Sequence, residues 1–580
     1  MSSESSAMEP VYTIGVGGAA GDGVREAGVH FGAFAERIGC HAFLAFYYPS
    51  LIRGGHNYGR VSFSAAPVHS DHAPLDVLVA LNADSVRIRR PELKEDGVVI
   101  VETKYFDEAR AFASEAHALP MADFADQSGA PRAAQSSAAI GALAYMVGLE
   151  REEFLRLSET IFGDLVGGRD CNTQVALRGY DHARDFGFPV RTQMRSQKCV
   201  GCVGSLVEGN KAVAKGFLSA GLEFYIGYPM TPSTSILHFL AKEAVRGRVK
   251  VIHPEDEIAV ANSALGIAYA GKRVAVGTAS GGFALMQEAF SFAGISELPV
   301  AFAISQRTGP ATGVATHTGQ SDLRFILHAG HGEFPRLLIA PGDVDECYEA
   351  GVAALTLAWK YQIPAIVLLD KHISESHQTS CVLMEETRVS EFPRWERRDG
   401  ETYKRYCITD SGVSPLAFPG QPGASVKATS YEHDEFGIAT DEPEKVLAMQ
   451  EKRWRKAIGL RSEFANWETV KVSGDLESDT AILFWGSTKG AVMEAAKYLS
   501  HTPRLVQIIW MEPMNEGRVK EALAGATRIV AVEGNHNAQL AGLVREKTGI
   551  TVTETILKYD SEPFEPMSLA KELNRRLSEH

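Results

Sequence analysis

The chain has 580 residues, of which 45% are hydrophobic and 22% are charged. These values are typical of globular domains, exclude a largely disordered or collagen-like chain, and predict about three to five domains. Its 72 acidic residues outnumber 58 basic ones, giving a net charge of −14. Generic nucleic-acid binding is not indicated, because it needs a basic face. The polar start shows no signal peptide and the apolar runs are too short for a membrane span, so we expect neither.

Seven cysteines are few for this length and predict a reduced, cytoplasmic compartment. Cys199 and Cys202 form a CxxC pair, whereas the others are scattered singly. A structural zinc site or an iron–sulfur cluster usually needs four ligands, so we predict plain thiols in a linker and no metal site in this chain. A redox or metal role for the pair is the alternative.

Alternation of short apolar strands and helices predicts an α/β protein with several doubly wound open sheets. A first unit covers 1–185, with strands at 11–17, 74–81 and 97–102 and a helix at about 24–38. A linker follows at 186–205. The second unit, 206–385, has predicted strands at 222–227, 249–253, 273–278, 299–305, 336–340 and 365–369. Residues 386–474 are predicted to be an irregular connection, because 390–455 are rich in proline, glycine and charge. The third unit, 475–580, has predicted strands at 480–485, 504–509 and 528–533.

A glycine-rich segment, Gly15-Val-Gly-Gly-Ala-Ala-Gly-Asp-Gly23, follows the first strand. It loosely fits the dinucleotide-binding GxGxxG/A pattern, in which glycines let the backbone approach a phosphate, and Glu36 lies near the position of a ribose-binding acid. The alternative is a tight turn that packs strand on helix. Gly21-Asp-Gly23 also starts like the thiamine diphosphate magnesium motif, but the Asn-Asn pair is missing and only Asn57 follows. We therefore predict no magnesium site here.

The segment Tyr228-Pro-Met-Thr-Pro-Ser-Thr234 follows a strand of the second unit. Open α/β sheets bind ligands at the carboxyl ends of their strands. Pro229 and Pro232 restrict the loop, so that Thr231 presents its hydroxyl in a defined place. The alternative is a proline-stiffened connection in which Ser233 or Thr234 caps the next helix.

Two charged residues follow later strands of the same unit. Glu257 precedes an uncharged stretch, 258–271, and a buried carboxylate there could share a proton with a ligand nitrogen. Arg307 is the only cation in the loop 305–316, where an arginine among threonine hydroxyls is suited to bind a carboxylate in two-pronged fashion. The alternatives are acids that cap a helix N-terminus and a solvated arginine on a surface loop.

Together these segments resemble a known family over nearly the whole chain. The 206–385 unit resembles the α subunit of 2-oxoacid:ferredoxin oxidoreductases, and the first unit resembles the family's γ domain, fused ahead of α. The matching pieces, in order, are GVGGAAGDG at 15–23, YPSLIRGG at 48–55, YPMTPST at 228–234, EDE at 255–257, TASGGF at 278–283, RTGPATGVATHTGQSDL at 307–323, YKRYCITDSGVSP at 403–415, EHDE at 432–435, VEGN at 532–535 and YDSEPF at 559–564.

The resemblance implies a fold: a γ domain, a pyrimidine-type thiamine diphosphate domain and a domain like the transketolase C-terminal domain. It also implies an activity, the reversible CoA-dependent oxidative decarboxylation of a 2-oxoacid, with 2-oxoglutarate to succinyl-CoA and CO2 expected. Electrons pass to ferredoxin. A β subunit would carry Mg²⁺ and a [4Fe–4S] cluster, and the assembly would be an αβ dimer of dimers in the cytoplasm.

The same resemblance implies roles for individual residues. Glu257 matches the glutamate at the aminopyrimidine ring, and Thr231 the threonine near the substrate keto group. Arg307 matches the arginine that binds the substrate carboxylate. The remaining implied positions are Thr312 and Thr316 beside the substrate, Pro229 beside the cofactor, and Gly18, Gly21 and Arg53 along the CoA path.

The substrate remains open at this stage, because pyruvate and branched-chain oxoacids would use the same carboxylate-binding arginine. A second carboxylate needs another cation, for which His317, Arg324 or the β subunit are candidates. An NAD-dependent dehydrogenase using the first glycine segment and a non-catalytic scaffold are the alternative functions.

Overall fold

The computed structural model describes residues 9–49, 54–162, 168–194, 204–382 and 387–578. Within these ranges the strands form three sheets. No described helix is both long and apolar enough to cross a membrane. Cys199, Cys202 and Arg53 lie outside the described residues, so their predicted roles stay predictions.

The first unit begins with the expected strand and helix. Its strands are β1 (Tyr12–Ala20), β2 (His41–Tyr47), β3 (Gly54–Ser64), β4 (Leu75–Ala80), β5 (Leu93–Glu102) and β6 (His117–Leu119). Its α-helices are α1 (Val24–Arg37), α2 (Ala83–Arg89), α3 (Phe106–Ala109), α4 (Met121–Gln127), α5 (Ser137–Met146), α6 (Arg151–Ile161) and α7 (Gly168–Asp185). The three predicted strands are confirmed as β1, β4 and β5. The strands β2 and β3, which form an antiparallel pair, were not predicted.

The second unit alternates strands and helices. Its strands are β7 (Ser205–Glu208), β8 (Phe224–Gly227), β9 (Lys250–Ile252), β10 (Val274–Ala279), β11 (Ala301–Gln306), β12 (Leu337–Ile339), β13 (Ala365–Asp370) and β14 (His377–Ser380). Its helices are α8 (Gly209–Ser219), α9 (Thr234–Val245), α10 (Glu257–Tyr269), α11 (Ser280–Leu285), α12 (Gln287–Ile295), α13 (Leu323–Leu327), α14 (Val344–Tyr361) and α15 (Lys371–Glu375). All six predicted strands are confirmed, as β8 to β13.

The third unit follows a long helix in the predicted connection. The helices are α16 (Pro443–Ser462), α17 (Thr488–Ala496), α18 (Glu516–Ala522), α19 (Gln539–Thr548) and α20 (Pro566–Ser578). The strands are β15 (Val470–Gly474), β16 (Thr480–Phe484), β17 (Arg504–Ile508), β18 (Trp510–Glu512), β19 (Arg528–Glu533) and β20 (Glu554–Leu557). The predicted strands are confirmed as β16, β17 and β19. The described part of 387–442 is irregular, as expected, but α16 was not expected.

Each sheet has its own strand order. The first runs β6-β5-β4-β1-β3-β2-β14-β7, the second β18-β12-β13-β11-β10-β8-β9, and the third β15-β17-β16-β19-β20. The second sheet is parallel except for β18, and the third except for β15. Such parallel sheets need cover on both faces, and alternate residues of β10 point into two separate apolar cores.

The units share strands across the boundaries expected from the sequence. β7 and β14, at the two ends of the second unit, extend the first sheet, where His377 of β14 pairs with Leu44 of β2. β18 of the third unit pairs with β12 of the second sheet. The second unit, which carries the carboxyl ends of β8, β10 and β11, is therefore hydrogen-bonded to both the first and the third unit.

Candidate functional site

The carboxyl end of β8 carries the first predicted site residue. β8 ends at Gly227, and the following loop holds a cis peptide between Thr231 and Pro232. Thr231 is half-buried, whereas Pro229 is exposed. Asn210, fully buried on α8, donates to the Pro232 carbonyl oxygen at 2.8 Å and to Ser235 Oγ at 2.9 Å. Asn210 thus holds this loop in place, a role that no sequence pattern revealed.

Glu257 is the first residue of α10, the helix that follows β9. Its neighbour Asp256 caps that helix, since the Asp256 Oδ1 atom accepts a hydrogen bond from the Ala259 N–H at 2.8 Å. The Glu257 side chain is therefore not needed to cap the helix. Glu257 is only 4% exposed, and its Oε1 atom has no hydrogen-bond partner among the described residues. A buried carboxylate oxygen without a partner is costly, so it points to a ligand that supplies one.

Arg307 follows β11 directly and reaches back over the first loop. Its Nη1 atom donates to the Thr231 carbonyl oxygen at 2.8 Å. Burial lowers the pKa of its half-buried guanidinium. No described carboxylate pairs with it. The remaining guanidinium N–H groups therefore suit an anionic ligand placed beside Thr231.

The loop after Arg307 folds back on itself. Thr308 Oγ1 donates to the Thr318 carbonyl oxygen at 2.7 Å, and the Val314 N–H donates to the Thr308 carbonyl oxygen at 2.9 Å. Thr316 is buried and Thr312 lies on the exposed tip. The structure brings Arg307 and Thr231 into direct contact. No described hydrogen bond joins Thr312 or Thr316 to either of them.

The glycine-rich segment is mostly strand rather than turn. Gly15, Gly17 and Gly18 lie inside β1, and a Cβ atom at Gly18 would lie 3.0 Å from Val24 Cγ2 and 3.2 Å from Leu81 Cβ. Gly18 is therefore needed for the close packing of β1 against α1. Gly21, in the exposed turn that follows, has φ +96° and nothing within 4 Å of its Cβ position, so it leaves open space at the start of α1.

Glu36 does not take the position expected of a ribose-binding acid. The carboxylate accepts a hydrogen bond from Thr379 Oγ1 of β14 at 3.4 Å, and burial raises the pKa of Glu36 to about 7. Glu36 thus contacts a strand of the second unit, which removes the feature that favoured an NAD-binding interpretation.

A cleft of about 740 Å³ opens beside Thr231, between the first and second units. The lining residues are Arg25, Tyr48, Glu208, Lys211, Thr231, Pro232, Thr234, Ser235, His238, Phe239, Lys242, Glu243, Arg246 and Glu375. Glu243 is paired with Arg246 and Arg248, whereas no described carboxylate pairs with Lys211 or Lys242. The free cations favour an anionic ligand in this cleft.

The two residues of this chain that the sequence offered for binding a second carboxylate are already paired with acids. His317 Nδ1 lies 3.1 Å from Glu562 Oε1, and Arg324 Nη1 lies 2.6 Å from Glu546 Oε2. Neither residue lines the cleft beside Thr231. No group of three or more metal-ligating side chains occurs among the described residues.

The loops after β8 and β11 meet through Arg307 and Thr231 at the carboxyl ends of parallel strands, where open α/β sheets bind ligands. Residues 215–452 match the family described as pyruvate flavodoxin/ferredoxin oxidoreductase, thiamine diphosphate-binding. Residues 13–182 match the family described as pyruvate ferredoxin/flavodoxin oxidoreductase.

One curated relative and a solved structure cover almost the whole chain, and a second relative covers half of it. The 2-oxoacid:ferredoxin oxidoreductase subunit alpha of a Sulfolobus species is 30% identical over 95% of this chain and 94% of its own. The 2-oxoglutarate synthase subunit KorA of Methanocaldococcus jannaschii is 29% identical over 50% of this chain and 78% of its own. A 2-oxoglutarate:ferredoxin oxidoreductase from Magnetococcus marinus, solved with 2-oxoglutarate, coenzyme A and succinyl-CoA bound, is 28% identical, covers 98% of this chain and 100% of its own, and superposes with a TM-score of 0.85. This chain belongs to the 2-oxoacid:ferredoxin oxidoreductase family and corresponds to its alpha subunits.

Proposed function

We propose that this chain, with a β subunit, converts 2-oxoglutarate and CoA to succinyl-CoA and CO2, and that the two electrons released pass to ferredoxin. The observation that carries this proposal is the buried Glu257 Oε1 atom without a partner among the described residues. It lies in the same sheet edge as the Arg307–Thr231 contact. The choice of 2-oxoglutarate is supported by the relatives and by the ligands of the superposed structure.

The buried Glu257 Oε1 atom, which has no partner among the described residues, fits the nitrogen-bearing ring of thiamine diphosphate. When bound, this cofactor supplies the electron sink that decarboxylation of a 2-oxoacid needs. Glu257 would hold a proton at Oε1 and exchange it with a ring nitrogen of the cofactor, because a buried carboxylate and a ligand nitrogen can share one proton. Pro229 would contact the cofactor from the loop after β8.

Arg307 would bind the 2-oxoacid carboxylate through the guanidinium N–H groups not used by Thr231. This places the keto group toward Thr231, whose hydroxyl can donate to the keto oxygen. The buried Thr316 and the exposed Thr312 would complete the loop around the substrate. Because His317 and Arg324 already pair with acids, the partner subunit would supply the cation for the second carboxylate.

The cleft beside Thr231 would take CoA. Lys211 and Lys242 would bind its phosphates, and Arg25 lines the cleft from the first unit. Gly21 and Arg53 would line the same path, whereas Gly18 would act indirectly, by allowing α1 to approach β1. The thiol end of CoA would then point toward Thr231, where the acyl group is formed.

The β subunit would cover the sheet edge that carries Glu257. Ile252 is 39% exposed, Ile258 51% and Leu285 55%. These apolar side chains belong to β9, α10 and α11, and exposed apolar patches mark protein interfaces. That subunit would carry Mg²⁺ and the [4Fe–4S] cluster, in a cytoplasmic αβ dimer of dimers.

Reduction of ferredoxin by the co-purified αβ complex tests the proposal. A panel of 2-oxoglutarate, pyruvate and branched-chain oxoacids is assayed with and without CoA. We expect CoA-dependent reduction with the highest kcat/KM for 2-oxoglutarate. A preference for pyruvate or branched-chain oxoacids would replace the substrate. No reduction from a complex with intact cofactors would overturn the function.

A further inference from the structure

The third sheet has an edge that in other open sheets binds a ligand. β16 and β19 are parallel neighbours that end at Phe484 and Glu533, and ligands of doubly wound sheets lie at such carboxyl ends. Here a side chain of the second unit occupies the edge. Gln320 is 1% exposed and belongs to the loop that begins at Arg307.

Gln320 makes three hydrogen bonds to this edge. Its Nε2 atom donates to the Trp485 carbonyl oxygen at 3.0 Å. Its Oε1 atom accepts from the Gly534 N–H at 2.8 Å, and its own backbone N–H donates to the Gly534 carbonyl oxygen at 2.8 Å. Both ends of the amide and the backbone N–H are therefore satisfied by the third unit alone.

Two glycines make room for this amide. A Cβ atom at Gly486 would lie 2.7 Å from Gln320 Nε2, and one at Gly534 would lie 3.1 Å from Gln320 Oε1. The surrounding backbone is itself fixed, because the buried Glu533 carboxylate accepts from the Leu540 N–H at 2.8 Å and from the Ala541 N–H at 3.0 Å. The VEGN segment at 532–535 therefore forms a binding position for one side chain of the second unit.

Gln320 is connected to Arg307 through the folded loop. The Asp322 N–H donates to Gln306 Oε1 at 3.0 Å, next to Arg307. The Thr308 hydroxyl ties the start of the loop to Thr318. Residues 318–322 are therefore hydrogen-bonded to residues 306–308. Gln320, in turn, fixes residues 318–322 to the third unit.

We infer that Gln320 is a positioning residue, which holds loop 307–323 so that Arg307 stays over Thr231. The kinetic part of this inference rests on the proposed role of Arg307 in binding the oxoacid carboxylate. A small displacement of Arg307 would weaken binding of the oxoacid, because its hydrogen bonds to the carboxylate depend on exact placement.

The test compares Gln320→Ala with Gln507→Ala in the full αβ complex. Gln507 is a matched control, because it is also 1% exposed and also joins the third unit to the second, through Glu346 Oε2 at 2.7 Å, without touching the loop. We expect Gln320→Ala to raise KM for the oxoacid on the order of tenfold, with less than about a threefold change in kcat. We also expect amide hydrogen exchange of 308–318 to become at least roughly tenfold faster. Gln507→Ala should change neither.

A double-mutant cycle decides whether Gln320 acts through Arg307. We expect no further rise of KM when Gln320→Ala is added to Arg307→Ala. A further rise of about tenfold would overturn the inference. Unchanged hydrogen exchange together with unchanged KM in Gln320→Ala would also overturn it. If that variant does not fold, Gln320→Met, which keeps the length of the side chain and loses both side-chain hydrogen bonds, is expected to show the same change. Faster hydrogen exchange in Gln320→Ala, together with an unchanged KM in Arg307→Ala, would overturn the proposed role of Arg307 but would support the attachment of the loop by Gln320.

Discussion

Gly282 leaves open the space that the Glu257 carboxylate occupies at the carboxyl edge of the second sheet. A Cβ atom at Gly282 would lie 2.8 Å from Glu257 Oε1 and 2.2 Å from Thr278 Oγ1. The absence of a side chain at Gly282 thus determines where the buried carboxylate can lie.

Gly282→Ala is expected to displace the Glu257 carboxylate and to lower kcat at least roughly tenfold, since overpacking of about 1–3 kcal/mol must be relieved by movement. The matched control is Gly281→Ala, because the nearest atom to a Cβ there is the Ala311 carbonyl oxygen at 3.9 Å. The measurement is the kcat of the αβ complex for oxoacid-dependent ferredoxin reduction. Equal activity of the two variants would contradict the assigned position of the carboxylate.

Glu257→Gln is expected to lower kcat by about two to four orders of magnitude, because an amide cannot carry the transferable proton. The fold should be retained, since the side chain keeps its size. Glu255→Gln serves as control, because Glu255 is exposed two residues away. Thiamine diphosphate affinity, measured by calorimetry, separates lost proton transfer from lost cofactor; normal turnover in Glu257→Gln would refute the catalytic assignment.

Arg307→Lys is expected to lower kcat/KM for the oxoacid roughly ten- to hundredfold, because a lysine keeps the charge but not the two-pronged hydrogen bonding, worth about 1.5–3 kcal/mol. Arg324→Ala, at the far end of the loop and paired with Glu546, is expected to leave KM unchanged. Steady-state kinetics of both variants checks this. A larger KM effect at Arg324 than at Arg307 would reverse the assignment.

The strand pattern and the residues at strand ends could be predicted from the sequence, because buried parallel strands are continuous apolar runs and their carboxyl ends meet at one edge. This pattern predicted that Thr231, Glu257 and Arg307 follow strands of one sheet and lie at its carboxyl edge. The missed helix α16 has a physical reason. Two of its inward-facing residues are lysines, and Lys452 and Lys456 both bind the buried Glu297 carboxylate. Their charges break the apolar stripe by which a helix is recognised.

Contacts between distant segments could not be predicted. Asn210, which fixes the Thr231 loop, lies on α8 in an ordinary helical pattern. Gln320 and Gly534 are 214 residues apart, and nothing local to either shows the other. The strands β2 and β3 were missed because they pair antiparallel, whereas the apolar runs that predicted the other strands are typical of parallel sheets.

Replacement of Lys211 and Lys242 together by alanine is expected to raise KM for CoA at least roughly tenfold and to leave KM for the oxoacid unchanged, because both cations lie in the cleft and are free of ion pairs with described residues. The rise should shrink at high salt, which screens charges. Lys272→Ala, a surface lysine paired with Glu223, is the control. An equal rise for CoA and oxoacid would contradict a separate CoA cleft.

His30 is expected to make the protein less stable in acid. Burial lowers the pKa of His30 to about 4, whereas an unfolded histidine takes up a proton near pH 6.5. The unfolded state therefore binds more protons between these values, so that the contribution is intact above about pH 6.5 and is lost as the pH falls toward 4, by about 2 kcal/mol at pH 5. Between about pH 7.5 and 5, His30→Leu should lose about 2 kcal/mol less of its free energy of unfolding than the unmodified chain, measured by urea titration.

The control for this prediction is His501→Leu, because His501 is exposed and lies far along the chain from the packing of His30 against Phe162. His501→Leu should lose as much stability in acid as the unmodified chain. An equal loss in His30→Leu would show that other groups cause the acid sensitivity.

The pairing of β2 with β14 has a consequence for how the protein is made. On the ribosome, β2 is complete once Tyr47 has emerged. One of its two neighbours in the first sheet, β14, is complete only at Ser380. At about 5–20 residues per second, the nascent chain carries an open strand edge for roughly 20–70 s. An open edge is a template for pairing with other chains. Chaperone demand during synthesis should therefore be set by the second unit, although the unprotected strand belongs to the first.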